Sequence, residues 1–128
     1  MQLGHWFTCC LRGHETVALC GDLGSGKTTF TKGVAHRLSV KEDIISPTFV
    51  LLREYLQGIH PLLHYDIYRL ENVQELLDIG FLEQLDDQGI KMVEWGDKFP
   101  SLLQYFDWKI DFEITAENLR TVRFFQHG

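Results

Sequence analysis

The sequence predicts an α/β fold, in which helices cover a β-sheet that also carries antiparallel strands. Residues 16–20 form a short apolar run that stops at a glycine, as a buried strand does. A glycine-rich segment follows, and residues 28–38 then have the composition of a helix. Several strand-like runs come later in the chain. A strand, a loop, a helix and further strands in this order are typical of a sheet flanked by helices.

The remaining elements are predicted from the spacing of apolar residues. Apolar side chains recur at helical spacing from Leu3 to Leu11, which predicts an amphipathic helix over residues 2–12 that ends at Gly13. Short apolar runs predict strands over residues 49–55, 62–66 and 90–95. Two short helices are predicted over residues 73–77 and 81–85. Alternation of apolar residues over 108–114 and 122–124 predicts a C-terminal antiparallel pair of strands. The strands at 49–55 and 62–66 are expected to form a hairpin.

Length, composition and charge restrict the class of protein. A chain of 128 residues, 45% of them apolar, predicts one domain spanning residues 1–128 with a core that needs no disulfide or structural metal. The formal net charge is -6. Nucleic-acid binders neutralise phosphates with a basic surface, so direct binding to RNA or DNA is disfavoured and contact with a nucleic acid is expected only through a partner protein.

Cysteine usage and hydropathy predict a cytoplasmic protein with no membrane association. The three cysteines are an odd number, and Cys9 and Cys10 are adjacent, which is not the spacing of a disulfide framework or a zinc site. No apolar run reaches the roughly 18 to 20 residues that a membrane-spanning helix requires. The N-terminus also lacks the pattern of a secretion signal.

The glycine-rich segment carries the strongest functional signal. Gly21-Asp-Leu-Gly-Ser-Gly26-Lys27-Thr28 matches G-x-x-x-x-G-K-[ST] at every fixed position. In this P-loop motif the glycines let successive backbone N–H groups surround a phosphate, the lysine reaches the β- and γ-phosphates, and the threonine hydroxyl ligates Mg²⁺. The sequence therefore predicts a P-loop NTPase-type sheet that binds a nucleoside triphosphate with Mg²⁺. The predicted nucleotide-binding residues of this segment are Asp22, Leu23, Gly24, Ser25, Gly26, Lys27, Thr28 and Thr29.

Two acidic residues at the ends of apolar runs are candidates for the metal and for hydrolysis. P-loop enzymes hold the Mg²⁺ shell with an acid on a second strand, and Glu94 follows a buried run in the way this role requires. The alternative is a solvated glutamate at a strand end. Asp66 ends another apolar run and could orient water or the metal shell, or it could cap the turn that follows.

Four further positions have weaker patterns. Thr48, beside Pro47, could sense the γ-phosphate as switch threonines do. Trp95 could stack on the nucleotide base, although a tryptophan beside a buried strand is more often part of the core. His60 and His64 are four residues apart, but Pro61 lies between them and the segment has a strand-like pattern, so they need not share a face and a metal site there has little support.

The motifs together resemble the bacterial TsaE family, formerly called YjeE. The resemblance rests on four blocks in order, namely the ten residues from Gly21 to Phe30, Ser46-Pro-Thr-Phe49, His64-Tyr-Asp-Ile-Tyr-Arg-Leu70 and Val93-Glu-Trp95, and it covers about residues 2–100. It implies a P-loop ATPase with ATP and Mg²⁺ as cofactors. The enzyme would support a complex of TsaD- and TsaB-type proteins that forms N6-threonylcarbamoyladenosine at position 37 of tRNA, and it would meet the tRNA only indirectly.

The resemblance also implies roles for individual residues. Lys27, Asp66 and Glu94 would be catalytic, and Thr28 and Glu94 would serve the metal. Thr48 would belong to the switch segment and Trp95 would lie beside the nucleotide. One departure is the N-terminus, where family members begin with a strand that precedes the first helix. The sequence therefore predicts a truncated chain whose sheet lacks this N-terminal edge strand.

Two other functions stay open at the level of sequence. ATP binding alone could switch the affinity for a partner, with hydrolysis incidental. A small-molecule kinase is the other alternative, although the chain has no arginine-rich lid segment and no evident acceptor pocket. GTP specificity is disfavoured because the guanine-reading sequence Asn-Lys-x-Asp is absent.

Overall fold

A six-stranded sheet organises the chain. The structure, a computed structural model, describes residues 2–22, 24–45, 47, 49–87, 89–117 and 119–127. The strands are β1 (Thr16–Gly21), β2 (Leu52–Tyr55), β3 (Leu62–Asp66), β4 (Ile90–Glu94), β5 (Trp108–Ala116) and β6 (Leu119–Gln126). The helices are α1 (Gln2–Thr8), α2 (Lys27–Arg37), α3 (Val73–Asp78) and α4 (Phe81–Leu85), with a 3-10 helix over Pro100–Tyr105.

The sheet has a parallel centre and antiparallel edges. Its order is β2-β3-β4-β1-β5-β6. The four central strands are parallel, whereas β2 pairs antiparallel with β3 and β6 pairs antiparallel with β5. Both antiparallel pairs confirm sequence predictions, and the architecture confirms the predicted α/β class with antiparallel additions. Parallel strands need helices on both faces, because each such strand is buried on both sides.

The alternation of side chains along β1 shows how the two faces of the sheet are covered. Val17 and Leu19 belong to the core beneath α1 and α2, whereas Ala18 and Cys20 belong to the core beneath α3, α4 and the 3-10 helix. All four side chains are almost completely buried. A strand buried on both faces reads as a continuous apolar run, which is why the sequence signal for β1 was clear.

An aromatic cluster attaches α1 to the rest of the fold. Phe7 of α1 is fully buried, and its ring lies 5.5 Å from that of Phe30 in α2, 5.1 Å from Trp108 in β5 and 5.4 Å from Phe124 in β6. Gly4 makes this close packing possible, because a Cβ there would lie 2.3 Å from the Phe30 carbonyl oxygen. The cluster thus joins the two helices to the C-terminal hairpin.

Two predicted elements are shorter by three or more residues than their apolar pattern suggested, and the strand predicted over 90–95 ends one residue early, at Glu94. The first helix ends at Thr8 instead of residue 12, because the next N–H groups bond three residues back, as in the bond from Cys10 N–H to Phe7 O at 2.8 Å. The strand predicted over residues 49–55 begins at Leu52. Leu51 has a φ of 71°, and its N–H donates to Pro47 O at 2.8 Å, so a turn occupies the first half of that run.

The 3-10 helix over Pro100–Tyr105 was not predicted. It begins with a proline in its first turn and buries Leu102, while most of its other residues face outward. One buried apolar side chain in six residues gives no periodic signal.

Among the described residues, the structure has no helix with the length and apolar character that a membrane span requires.

Glu15 anchors the chain just before the central strand. Its carboxylate is 7% exposed and accepts hydrogen bonds from the N–H groups of Arg12, Gly13 and His14 at 2.8–3.1 Å. Burial opposes ionisation, but the backbone N–H groups outweigh it, so the pKa of Glu15 is lowered from its usual value. The charged form is therefore the one that the folded chain stabilises.

We expect Glu15→Gln to destabilise the protein by roughly 1.5–3 kcal/mol at pH 7, the range for hydrogen bonds to a charged group. Because the folded pKa is lowered, the contribution of Glu15 is present above its unfolded pKa of about 4.5 and is lost as pH falls through the folded value. Urea unfolding of the wild-type protein and the Glu15→Gln variant from pH 7 to pH 3 measures the difference in their free energies of unfolding. This difference should become smaller below about pH 4.5. If this difference does not change with pH, the charge of Glu15 does not contribute to the stability of the folded chain.

Candidate functional site

The carboxyl ends of three neighbouring parallel strands meet at one edge of the sheet. In the pairing register, Leu19 of β1 is opposite Glu94 of β4, and Glu94 is opposite Asp66 of β3. The loop that follows β1 begins at Gly21 and leads into α2 at Lys27. The register alone therefore brings the loop and the two predicted acids together, at the place where open α/β sheets bind ligands.

Glycines determine the path of the loop between β1 and α2. Gly21, Gly24 and Gly26 have φ angles of 142°, 76° and 110°, in the left-handed region that disfavours residues with a Cβ. A Cβ at Gly21 would also lie 2.4 Å from the Phe112 carbonyl oxygen. At Gly24 a Cβ would meet nothing within 4 Å, so there the requirement is the backbone angle alone. The loop is thus a tight backbone curve next to the N-terminus of α2.

Lys27 lies inside this curve. Its side chain is largely buried, and the ammonium group donates to the carbonyl oxygens of Gly21 and, at 3.4 Å, of Asp22. The nitrogen also lies 3.6 Å from the centre of the Trp95 ring. Burial lowers the pKa of Lys27, while Glu94 and the Asp66 carboxylate act in the opposite direction. A partly desolvated cation next to a backbone curve is suited to an anion.

Thr28, Glu94 and His64 form a chain of hydrogen bonds. The Thr28 hydroxyl donates to the two carboxylate oxygens of Glu94 at 3.1 and 3.3 Å. The same carboxylate lies 2.5 Å from Nε2 of His64. Glu94 is 3% exposed and His64 is fully buried. The alternative interpretation of Glu94 as a solvated glutamate is therefore wrong, because both neighbours hold it inside the fold.

Asp66 lies at the end of β3, beside Glu94. Its carboxylate is 5% exposed and accepts a hydrogen bond from the Tyr68 N–H at 2.9 Å. This bond is the turn cap that was one of the two interpretations of Asp66. The carboxylate still acts on the Lys27 ammonium, whose pKa it helps to raise. Capping the turn and facing the site are thus compatible for this residue.

The other predicted site residues differ in their surroundings. Ser25 is buried, and its hydroxyl has no hydrogen-bond partner among the described residues. Trp95 has a left-handed backbone with φ of 65°, and its ring lies 4.7 Å from that of Tyr68. Asp22 and Gly24 are exposed along the loop, and Thr29 is exposed in the first turn of α2. Leu23 and Thr48, with Ser46 of the switch segment, lie outside the described residues.

His64 is the residue at this site that the sequence interpretation missed. Apart from its place in the motif block that ends at Leu70, the sequence pattern suggested a role for His64 only as a partner of His60, whose ring packs against Gly13. Alternation along β3 could have identified His64, because residues two apart share a face and His64 is two residues before Asp66. Its Nδ1 atom is buried without a partner among the described groups.

The donor set at this site consists of hard oxygens. The Thr28 hydroxyl and the Glu94 carboxylate are ligands of the kind that Mg²⁺ accepts. Within the part of the chain that the structure describes, no group of three or more His, Cys, Asp and Glu side chains could hold a metal ion. A hydroxyl and a carboxylate side by side suit a metal that completes its shell with phosphate oxygens and water, as Mg²⁺ does in phosphate sites.

Comparisons with known proteins agree on one family. The family described as "Threonylcarbamoyl adenosine biosynthesis protein TsaE" matches residues 1–123. A tRNA threonylcarbamoyladenosine biosynthesis protein TsaE from Bacillus subtilis is 38% identical over 110 residues, covering 86% of this chain and 68% of that protein. The protein of the same name from Treponema pallidum is 39% identical over 108 residues, covering 84% of this chain and 79% of its own length.

A solved structure supports the same conclusion. The crystal structure of Bacillus subtilis YdiB superposes with a TM-score of 0.79 at 28% sequence identity, covering 99% of this chain and 78% of the other. The sequence resemblance to TsaE is thereby confirmed over nearly the whole chain. This protein belongs to the TsaE family, whose members take part in the biosynthesis of threonylcarbamoyladenosine in tRNA.

Proposed function

We propose that the chain binds Mg-ATP at the loop between β1 and α2 and hydrolyses it slowly, in support of the complex that forms N6-threonylcarbamoyladenosine at position 37 of tRNA. The observation that carries this proposal is the convergence of Lys27, Thr28 and Glu94 at one loop. A cation for the phosphates, a hydroxyl for the metal and a carboxylate for the metal shell are the parts that phosphoryl transfer in P-loop proteins needs.

The phosphates would lie against the backbone curve from Gly21 to Gly26. The N–H groups of the curve and the positive end of α2 attract negative charge, and Lys27 adds a full positive charge. The lysine now bonds to loop carbonyl oxygens, which are weaker partners than a phosphate. A triphosphate would therefore draw the ammonium toward the β- and γ-phosphates while the carbonyl oxygens return to water.

Mg²⁺ would be held by the Thr28 hydroxyl and by Glu94, with phosphate oxygens and water completing its shell. A bound Mg²⁺ supplies neutralisation of the charge that develops on the phosphates. His64 would keep the Glu94 carboxylate oriented, since a buried group that hydrogen-bonds a metal-side carboxylate restricts its rotation. Asp66, at the neighbouring strand end, is the candidate for orienting the attacking water.

We expect Lys27→Ala and Glu94→Ala each to lower ATP hydrolysis by at least about 100-fold, because each removes charge that the transition state requires. Both should also abolish repeated rounds of tRNA modification in a reconstituted reaction with TsaD- and TsaB-type partners. Lys32→Ala and Glu83→Ala change exposed residues of α2 and α4 and serve as matched controls. Multiple turnovers at the wild-type rate with either site variant would refute the proposal.

A non-hydrolysable ATP analogue separates hydrolysis from binding in the same assay. If hydrolysis drives repeated modification, the analogue should permit no more than about one round per complex, because the bound state cannot be reset. Repeated turnover with the analogue at the ATP level would instead show that binding alone switches the partners. ADP serves as the second comparison.

We expect His64→Leu to raise the Mg²⁺ concentration needed for half-maximal ATP hydrolysis by about 10-fold, the lower end of the effect of removing a group that orients a metal ligand. His64→Gln has a similar size but keeps an N–H near the position of Nε2, so it should retain most of the metal affinity. Magnesium titrations of the three proteins measure this. Equal curves for the two variants would show that the bond to Glu94 has no positioning role.

An exposed apolar surface next to the site is our candidate for partner docking. Phe49 is 82% exposed, the nearby Ile45 and Val50 are more than half exposed, and the Arg69 guanidinium lies 4.2 Å from the Phe49 ring. The segment adjoins the site, because the Leu51 carbonyl accepts from the Asp66 N–H at 2.9 Å. Binding of a partner to this exposed surface would therefore be linked to the nucleotide bound at the site. Because the net charge of the chain is acidic, the partners would bind the tRNA.

We expect Phe49→Ser to weaken binding to the TsaD- and TsaB-type partners by about 10-fold or more, since exposed aromatic residues at the centre of an interface contribute most to affinity. ATP affinity of the isolated chain should stay within about 2-fold, because the Phe49 side chain is 82% exposed and packs on Arg69, which is not part of the loop between β1 and α2. Phe125→Ser, on β6, is the matched aromatic control. Calorimetric titration gives both affinities, and an equal loss in the control would refute the location.

A further inference from the structure

Two histidines from different helices face each other where α1 packs on α2. Nε2 of His5 in α1 lies 2.6 Å from Nδ1 of His36 in the last turn of α2. The two rings are inclined by only 15°, and their centroids are 4.7 Å apart. Neither residue is buried, and neither belongs to the candidate site. The proposed function therefore makes no use of this pair.

The short distance between the nitrogens limits what can lie between the rings. A neutral imidazole has one nitrogen that carries a hydrogen and one that presents a lone pair. At 2.6 Å only one of the facing nitrogens can carry a hydrogen, because two N–H groups pointing at each other would clash. The space between the rings therefore suits one shared hydrogen or one ion that accepts both lone pairs.

A metal ion requires only a small adjustment of the two side chains. Zn²⁺ binds histidine nitrogen at about 2.0–2.1 Å, so two ligating nitrogens lie roughly 3–3.4 Å apart. His5 and His36 are both at the surface, where their rings have room to separate by less than about 1 Å. The hydrogen between the rings would move to the other nitrogen of its own ring, so that both imidazoles ligate in the neutral form.

The core fixes the backbone positions that carry the two histidines. Gly4, the residue before His5, lies so close to α2 that a Cβ there would be 2.3 Å from the Phe30 carbonyl oxygen and 2.9 Å from the Val34 nitrogen. Phe7, two residues after His5, is fully buried. Because both ligands are on packed helices, binding of an ion would order side chains and not backbone.

The charges near the pair balance each other. A cavity of about 380 Å³ beside His36 is lined by two cations, Lys32 and Lys41, and by two carboxylates, Glu42 and Asp43. Surroundings with equal numbers of positive and negative groups do not repel a divalent ion as a basic surface does. The location is therefore compatible with a bound cation.

We infer that His5 and His36 form a surface site for one divalent transition-metal ion, represented by Zn²⁺, with water completing its shell. Imidazole nitrogen suits zinc, copper and nickel, whereas Mg²⁺ requires oxygen ligands. The site is thus chemically distinct from the one proposed at Thr28 and Glu94. Within the described residues no group of three or more His, Cys, Asp and Glu side chains could hold a metal ion, so the chain supplies two ligands here.

Cys9 is one helical turn after His5, but we assign it no ligand role. Its exposed thiol lies 3.9 Å from the His5 carbonyl oxygen. It lines a different cavity from the one beside His36, together with Arg37. The two nitrogens are therefore sufficient to define the site.

A bound ion would join α1 to the C-terminal end of α2. The two ligands are 31 residues apart in sequence, so the unfolded chain does not hold them together. An ion that binds the folded chain more tightly than the unfolded chain raises the free energy of unfolding. The site would act as a metal-dependent clamp between the two helices.

Calorimetric titration with Zn²⁺ in excess Mg²⁺, which occupies sites made of oxygen ligands, tests this inference. We expect His5→Ala and His36→Ala each to weaken Zn²⁺ binding by at least about 10-fold, the lower end of the loss when only an orienting partner of a ligand is removed. The double variant should be little weaker than either single variant, because both ligands serve one ion. His127→Ala, which removes an exposed histidine on another element, and Cys9→Ser should stay within about 2-fold of wild type.

Thermal unfolding gives a second measurement. Zn²⁺ should raise the Tm of the wild-type protein and of the control variants, but not that of His5→Ala or His36→Ala. Without metal, all the variants should unfold close to the wild-type Tm, because the changed side chains lie at the surface.

Three results would overturn the inference. The first is a wild-type protein that does not bind Zn²⁺, and the second is wild-type affinity in both histidine variants. The third is a loss in Cys9→Ser as large as that in His5→Ala, which would show that a thiolate holds the ion. None of these measurements involves ATP, so a negative result would leave the proposed function standing.

Discussion

The parallel register of β3, β4 and β1 is the constraint on which the candidate site depends. Side chains in a parallel sheet cannot change partners individually, because a slip of one residue moves every side chain of the strand to the other face. Asp66 is opposite Glu94, and Glu94 is opposite Leu19, the second residue before Gly21. The distance between the acids and the loop is therefore set by backbone hydrogen bonds inside a buried sheet, not by the loop itself.

The same register explains how several polar groups can be buried together. His64 and Asp66 of β3 and Glu94 of β4 alternate with apolar residues that pack on the opposite face. Burying such groups is costly unless they are hydrogen-bonded, and here Glu94 has partners in both His64 and Thr28. On the face of the sheet that α1 and α2 cover, the side chains of β3 thus change from apolar to polar at its carboxyl end, over the last two positions on that face, His64 and Asp66.

Much of the fold and the loop could be predicted, because each rests on local signals. The buried strand β1 is an almost continuous apolar run, β4 is apolar except for Lys91 and Glu94, and the loop has a motif whose glycines adopt the required angles. What could not be predicted depends on groups far apart in sequence. The bond from His64 to Glu94 spans 30 residues, and that from Arg120 to Gly24 spans 96. Leu51 shows the remaining difficulty, since its apolar side chain suggested a strand while its backbone forms a turn.

The left-handed backbone of Trp95 has a consequence for the evolution of this site. A residue with a Cβ in that conformation costs roughly 1–2 kcal/mol relative to a glycine, which would adopt it freely. The turn is held in place by the bond from the Trp95 N–H to Leu19 O at 2.8 Å, so its geometry would survive replacement by glycine. A glycine there would relax the backbone and remove the ring that covers Lys27. Replacement by glycine would therefore exchange a backbone gain of that size for the loss of the ring's contacts with Tyr68, Lys27 and the core beneath α3, α4 and the 3-10 helix, so the tryptophan can persist despite its strained backbone.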